Sequence, residues 1–257
     1  MSKVQYIPVG NEEQLFTAAY KQQLPVLLKG PTGVGKTRFV EHMAHELGRP
    51  LITVACHEDL TAADLIGRFI LKGNETVWQD GPLTTSVKDG AICYLDEVVE
   101  ARSDTVVVLH PLTDHRRELN IERLAVSLKA APEFMLVLSY NPGYQTLLKD
   151  LKASTRQRMV AMDFDFPPME VEKRVLTEIY DIEPGLAQNL VQLAAAMRRL
   201  EAPGLSEVVS TRALVSTGKM VKEGVTPRDA GVATMASALS DDPQVIAGLT
   251  SLVEQYL

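Results

Sequence analysis

The sequence predicts an α/β fold, a parallel sheet flanked by helices with two β-hairpin insertions, followed by a small all-α domain. Three observations carry that prediction. Short apolar runs recur between helix-periodic stretches as far as residue 164, and most are continuous rather than alternating, as strands covered on both faces require. A glycine-rich turn stands between the first of these runs and a helical stretch. Strand signals stop at Phe166-Pro167-Pro168, and only helical patterns follow. Two domains are therefore expected, an α/β core over 1–166 and an all-α domain over 167–257.

Asn11-Glu12-Glu13 ahead of Leu15, Phe16 and Ala19 predicts a capped amphipathic helix leading into the first strand. The expected strands are 25–29, 51–56, 91–95, 134–139 and 159–164, and the helix after the first spans 38–47. Residues 68–80 break the alternation with two short strands around Gly73-Asn74, a hairpin signal. Residues 117–128 read as a second hairpin. The expected helices of the last third are 169–181, 184–201, 210–223, 227–240 and 243–256. Pro184, Pro227 and Pro243 fall near helix starts, where a missing N–H costs nothing.

The turn itself, Gly30-Pro31-Thr32-Gly33-Val34-Gly35-Lys36-Thr37, fits the phosphate-binding pattern G-x-x-x-x-G-K-[ST] at every fixed position. Gly30, Gly33 and Gly35 let backbone N–H groups turn inward around a polyphosphate. Lys36 can reach the β- and γ-phosphates, and the Thr37 hydroxyl can sit on Mg²⁺. The helix that follows adds an anion-favouring N-terminus. The pattern predicts a nucleoside triphosphate site.

Ile92-Cys93-Tyr94-Leu95-Asp96-Glu97 places two acids at the carboxyl end of a buried strand, where open parallel sheets bind ligands. Asp96 can hold Mg²⁺ through its water shell, with Thr37 as the other metal-side residue. Glu97 is the natural base or water-orienting residue for attack on the γ-phosphate. A kinase-type enzyme needs no such Glu, so the pair favours hydrolysis. Asn141 closes another apolar strand and can position the attacking water; an Asn-Pro turn is the plainer alternative. Arg156 and Arg158 precede the last strand, either as a solvated basic turn or as an arginine supplied to a neighbouring site. Arg212 opens a helix of the all-α domain and can fold back onto the nucleotide.

This order of motifs resembles an AAA+ ATPase, a P-loop AAA+ core with an all-α lid domain. The hairpins at 68–80 and 117–128 resemble the insertions of the MoxR branch. Gly67-Arg68-Phe69, Gln79-Asp80-Gly81-Pro82-Leu83, Leu95-Asp96-Glu97, Asp114-His115-Arg116-Arg117-Glu118-Leu119 and Ser139-Tyr140-Asn141-Pro142 are similar to the CbbQ/NorQ/NirQ/GvpN group, most of all to CbbQ. The resemblance implies Walker A at Gly30 to Thr37, Walker B at Asp96 and Glu97, sensor 1 at Asn141 and sensor 2 at Arg212. Related rings carry Asp-Arg-Phe where this chain has Gln157-Arg158-Met159, so Arg158 aligns best with the arginine finger and Arg156 acts beside it or instead. It further implies ATP and Mg²⁺ as cofactors, a homo-oligomer in the form of a hexameric ring, and a von Willebrand A-domain adaptor. The protein client it implies is inhibited Rubisco, with nitric oxide reductase maturation as the alternative.

Composition bears on the competing classes. The 26 basic and 33 acidic residues give a net charge of −7, which argues against a nucleic-acid helicase or loader ring even though such rings share paired hairpins. The intact Asp96-Glu97 pair argues against a non-hydrolysing scaffold. Cys56 and Cys93 lack metal-ligand spacing and read as buried, reduced thiols. No signal peptide or membrane-length apolar run is evident, so the cytoplasm is the expected location. Trp78, in the first hairpin, serves either packing or client contact. His42 and His45 offer no metal cage.

Overall fold

The computed structural model describes residues 4–142, 153–200 and 208–257. Glu201, the last residue of the expected helix 184–201, lies outside them. Contacts divide the chain into two units: one contains Gly10–Pro31 and Lys36–Phe164, the other Gln5–Val9, Thr32–Gly35 and Asp165–Leu257.

The first unit runs α1 (Glu12–Lys21), β1 (Val26–Lys29), α2 (Lys36–Glu46), β2 (Leu51–Ala55), α3 (Ala62–Ile66), β3 (Gly67–Lys72), β4 (Glu75–Asp80), α4 (Pro82–Asp89), β5 (Ile92–Asp96) and α5 (Ser103–Val107). It continues through β6 (Glu118–Ile121), β7 (Val126–Lys129), β8 (Met135–Tyr140), α6 (Ala153–Arg156) and β9 (Val160–Asp163). Five strands form one parallel sheet in the order β2-β5-β8-β1-β9. Successive side chains of a strand point to opposite faces. Leu27, Cys93, Leu95, Leu136 and Leu138 enter one core with Leu83 and Val87 of α4. The alternate residues Val26, Leu28, Ile92, Tyr94 and Val137 are buried as well. Burial on both faces is why these strands read as unbroken apolar runs. The edge strands β2 and β9 are only partly covered.

The expected cap of α1 is corrected. Asn11 occupies the N-cap position without a side-chain cap bond. The nearby Glu12 carboxylate instead accepts from the Gly10 N–H at 2.8 Å. Phe16 packs edge-on against Phe39 of α2, with ring centroids 5.4 Å apart. The first hairpin, β3–β4, lies between α3 and α4 and pairs Phe69 with Trp78, whose rings meet edge-on at 5.2 Å. Trp78 is half-buried and donates its indole N–H to Asp80 at 2.7 Å. The second hairpin pairs β6 with β7 through a short 3₁₀ turn, Glu122–Leu124.

From Asp165 onward the second unit is built of helices among its described residues: α7 (Met169–Arg174), α8 (Pro184–Arg198), α9 (Thr211–Lys222), α10 (Pro227–Gly231) and α11 (Pro243–Tyr256). Pro184, Pro227 and Pro243 each open a helix, behind the capping side chains of Glu183, Thr226 and Asp242. Two expected helices differ in detail. α7 passes into a π-turn over Val175–Ile179 and α10 into another over Val232–Ala236. Each adds one residue to a turn, a phase change that an apolar period read from sequence does not register. Leu176, Leu190, Leu193, Leu214, Met235, Leu249 and Val253 form the core. Beside it the fully buried Glu172 carboxylate accepts Arg198 Nη2 at 2.8 Å, Arg198 Nη1 at 2.9 Å and the Thr211 hydroxyl at 2.6 Å.

Candidate nucleotide site

Parallel strands deliver their carboxyl ends to one edge of the sheet. β1 ends there at Lys29, β5 at Asp96 and β8 at Tyr140, in matched register. The glycine loop leaves β1 between β8 and β9, with Gly30 N–H donating to the Tyr140 carbonyl at 3.2 Å. Gly30 has φ +154°, and a Cβ built on it would lie 2.1 Å from the Phe164 carbonyl oxygen. Gly35 has φ +101° in open space, so its requirement is conformational alone. Gly33, with φ +78°, packs within the second unit: a Cβ there would meet Ser210 Cβ at 2.5 Å and Arg212 Cβ at 3.6 Å.

Lys36 opens α2 and is 5% exposed. Its ammonium donates to the Gly30 carbonyl at 2.6 Å and the Pro31 carbonyl at 3.0 Å, and stands 3.7 Å from a Glu97 oxygen. A buried cation aimed along the loop is what a polyphosphate needs. Thr37 Oγ1 lies 3.4 Å from Asp96 Oδ2. Hydroxyl and carboxylate are hard oxygen donors, the set that holds Mg²⁺ already carried by phosphates. Among the described residues no cluster of three His, Cys, Asp or Glu forms a separate metal cage.

Asp96 Oδ1 accepts the Tyr94 hydroxyl at 2.6 Å and the Ser139 hydroxyl at 2.5 Å. Ser139 Oγ also accepts the Glu97 backbone N–H at 3.2 Å. Glu97 sits in the left-handed region, φ 52°, an uncommon conformation for a side chain of its kind. Its carboxylate accepts the Asn141 backbone N–H at 3.2 Å. Burial pushes the Glu97 carboxyl above its ordinary range; Lys36 pulls it down and Asp96 pushes it up again. Burial, reinforced by its bond to Asp96, likewise holds Tyr94 in its phenol form. The Cys56 and Cys93 thiols are both pushed up to about 12, chiefly by burial, and stay protonated.

The structure thus gathers Lys36, Thr37, Asp96, Glu97 and Asn141 at one edge. Arg156 and Arg158 are not among them. They occupy the turn before β9, with Arg158 N–H donating to the Thr155 carbonyl at 3.2 Å. Because Val160 pairs with Val26 and Asp163 with Lys29, that turn lies at the amino edge of β9, about 13 Å of strand from the edge carrying the loop. Arg212, exposed in the first turn of α9, belongs to the second unit. Sequence reasoning gave Tyr94 and Ser139 no role. Both stand inside motifs that it singled out, but a hydroxyl on a buried strand carries no local mark of its partner.

A family described as the AAA domain (dynein-related subfamily) matches residues 25–159, and one described as CbbQ/NirQ/NorQ C-terminal matches residues 172–256. The chain is 60% identical to the denitrification regulatory protein NirQ of Stutzerimonas stutzeri, covering 96% of this chain and 90% of that protein. It is 57% identical to protein NorQ of Paracoccus denitrificans, over 96% and 92%. To protein CbbQ of Hydrogenophilus thermoluteolus it is 52% identical, over 95% and 91%. Among solved structures, a RuvB point mutant of Thermotoga maritima aligns with TM-score 0.58 at 15% identity, over 95% of this chain and 71% of that one. That likeness speaks for the fold alone.

Proposed function

The chain belongs to the CbbQ/NirQ/NorQ group of AAA+ ATPases, and from that premise we propose an ATP-driven motor that remodels a protein client. ATP hydrolysis follows from the family; how this chain's residues share it is our assignment. Gly30 to Gly35 cradle the phosphates, and Lys36 neutralises them. Thr37 and Asp96 are the residues that would hold Mg²⁺, which when bound supplies further charge neutralisation at the phosphates. Glu97 orients water and takes its proton, aided by a carboxyl range raised toward neutral pH. Asn141 borders Glu97 and positions the same water. Arg212 reports on the γ-phosphate; the approach of Gly33 to Ser210 supports its assignment to the loop.

One observation carries the assembly reading: Arg156 and Arg158 stand at the sheet edge opposite their own glycine loop. An arginine there serves a neighbour's site more readily than its own. We therefore assign the chain to a homo-oligomeric ring, hexameric by family resemblance, with Arg158 or Arg156 as the finger in trans. No helix among the described residues is long and apolar enough to cross a membrane. Together with the −7 charge, this favours a cytoplasmic protein partner over lipid or nucleic acid.

We assign a von Willebrand A-domain adaptor as co-worker and inhibited Rubisco as the client. A second reading, maturation of nitric oxide reductase, draws on the relative named as a denitrification regulatory protein, just as the first draws on the one named CbbQ. The deciding experiment purifies the chain with its A-domain partner and supplies each client in turn. ATP-dependent release of a sugar-phosphate inhibitor from Rubisco, absent with Glu97→Gln, is the expected result. Recovery of nitric oxide reductase activity without any effect on Rubisco would replace the first reading by the second.

A further inference from the structure

The two oxygens of Asp96 meet different surroundings. Oδ1 receives two hydroxyls, Tyr94 at 2.6 Å and Ser139 at 2.5 Å. Each hydroxyl carries a single hydrogen, so both hydrogens are committed to this one oxygen, and the 3.0 Å approach of Tyr94 to Ser139 adds no donor. Ser139 and Tyr94 are fully buried, so neither hydroxyl is drawn away from Asp96 by bulk water. Oδ2, by contrast, faces Thr37 Oγ1 at 3.4 Å. The carboxylate is therefore held in one orientation, with one oxygen occupied and the other presented to the loop.

We propose that Tyr94 and Ser139 determine which cation this site accepts, by leaving Asp96 a single open oxygen, enough to meet the water shell of Mg²⁺ and too few for the bidentate grip that Ca²⁺ draws on. Mg²⁺ demands near-octahedral geometry at about 2.0–2.1 Å, keeps several waters and needs only one or two carboxylate oxygens beside the phosphates. Ca²⁺ gathers about 6–8 oxygens at about 2.3–2.6 Å and draws readily on bidentate carboxylates. With Oδ1 saturated, bidentate binding requires breaking two buried hydrogen bonds. Ser139 is the more consequential of the pair, because its lone pair also receives the Glu97 N–H at 3.2 Å. Both act through Asp96 and are positioning residues.

The inference rests on the assignment of Thr37 and Asp96 to the cation, and the test separates the two. Binding of a fluorescent ATP analogue to the full chain is titrated with Mg²⁺ and, separately, with Ca²⁺, after chelation of trace metal. The readout is the ratio of the Ca²⁺ and Mg²⁺ concentrations that half-maximally promote binding. In Tyr94→Phe combined with Ser139→Ala, that ratio shifts toward Ca²⁺ by roughly tenfold, the scale of effects from groups that orient a metal ligand. Ser139→Thr, which keeps the hydroxyl, restores the preference of the wild-type chain. Purely structural damage weakens both metals alike and leaves the ratio unmoved, and that result overturns the proposal. Should the double variant fail to fold, Tyr94→Phe alone, which deletes one oxygen atom, decides by the same ratio. Loss of metal-promoted binding in Asp96→Ala with an unmoved ratio in the hydroxyl variants defeats this inference only. Unchanged metal promotion in Asp96→Ala defeats the underlying assignment as well.

Discussion

Replacing Arg198 by Met strands a carboxylate in the helical unit. Glu172 is fully buried, and the guanidinium supplies two of its three donors, at 2.8 and 2.9 Å. The same guanidinium donates to the Val209 carbonyl at 2.8 Å and lies 4.1 Å from the centroid of the Phe166 ring. Breaking a buried pair by removing one partner costs about 3–5 kcal/mol, because the remaining charge is uncompensated. Thr211 still donates at 2.6 Å and moderates the loss, while the Val209 bond and the ring contact add to it. We expect about 4 kcal/mol. With a urea dependence of about 1–3 kcal/mol per molar, the unfolding midpoint falls by at least about 1 M. Far-UV circular dichroism reads it directly, since the unit is built of helices. The control removes every member: Glu172→Leu, Arg198→Met and Thr211→Val together leave no orphaned group and recover most of the loss. A midpoint shift below roughly 0.3 M for Arg198→Met, or a triple variant no better than the single one, refutes the reasoning.

Gly30→Ala places a Cβ 2.1 Å from the Phe164 carbonyl, so backbone must move at the loop's first residue, and affinity for a fluorescent ATP analogue drops at least tenfold; wild-type affinity contradicts it. Glu97→Gln tests the raised carboxyl. A folded-state range above the unfolded one means that the protonated group favours the fold and that this contribution is lost as pH rises through the raised value. The melting temperature of Glu97→Gln relative to the parent chain should therefore increase between about pH 4 and pH 8, and a difference that shrinks over that interval counts against the burial account. Subunit mixing tests the opposite-edge arginines: Lys36→Ala and Arg158→Ala chains, each inactive alone, regain partial ATPase activity when combined. No recovery at any ratio removes the simplest support for a finger in trans.

The sheet was legible in the sequence for a specific reason. Its central strands are buried on both faces, so Val26-Leu27-Leu28 and Ile92-Cys93-Tyr94-Leu95 read as unbroken apolar runs. Gly73, with φ +65°, marked the first hairpin because few other residues tolerate that turn. The glycine loop, Asp96-Glu97 and Asn141 were legible because backbone geometry or chemistry restricts those positions to a few residue types. What stayed hidden depends on contacts between distant segments. Glu172 and Arg198 are 26 residues apart, and neither is flanked by a pattern that announces a buried partner. The Tyr94–Asp96–Ser139 cluster needs two strands side by side before either hydroxyl has a meaning. The short helices α3, α4 and α5 are set by the packing around the hairpins, and their few residues each give periodicity too little length to show.

Parallel polarity accounts for both what the site gathers and what it excludes. Residues that follow a strand emerge at the carboxyl edge, and residues that precede one emerge at the amino edge. Lys36 and Thr37 follow β1, Glu97 follows β5 and Asn141 follows β8, so register alone brings them together. Arg156 and Arg158 precede β9, and β9 is parallel to β1 with Val160 opposite Val26. No rotamer of an arginine spans the about 13 Å of strand between the edges and still presents its guanidinium to a phosphate held by the loop. Strand direction, more than any single motif, is the physical ground of the proposed finger in trans.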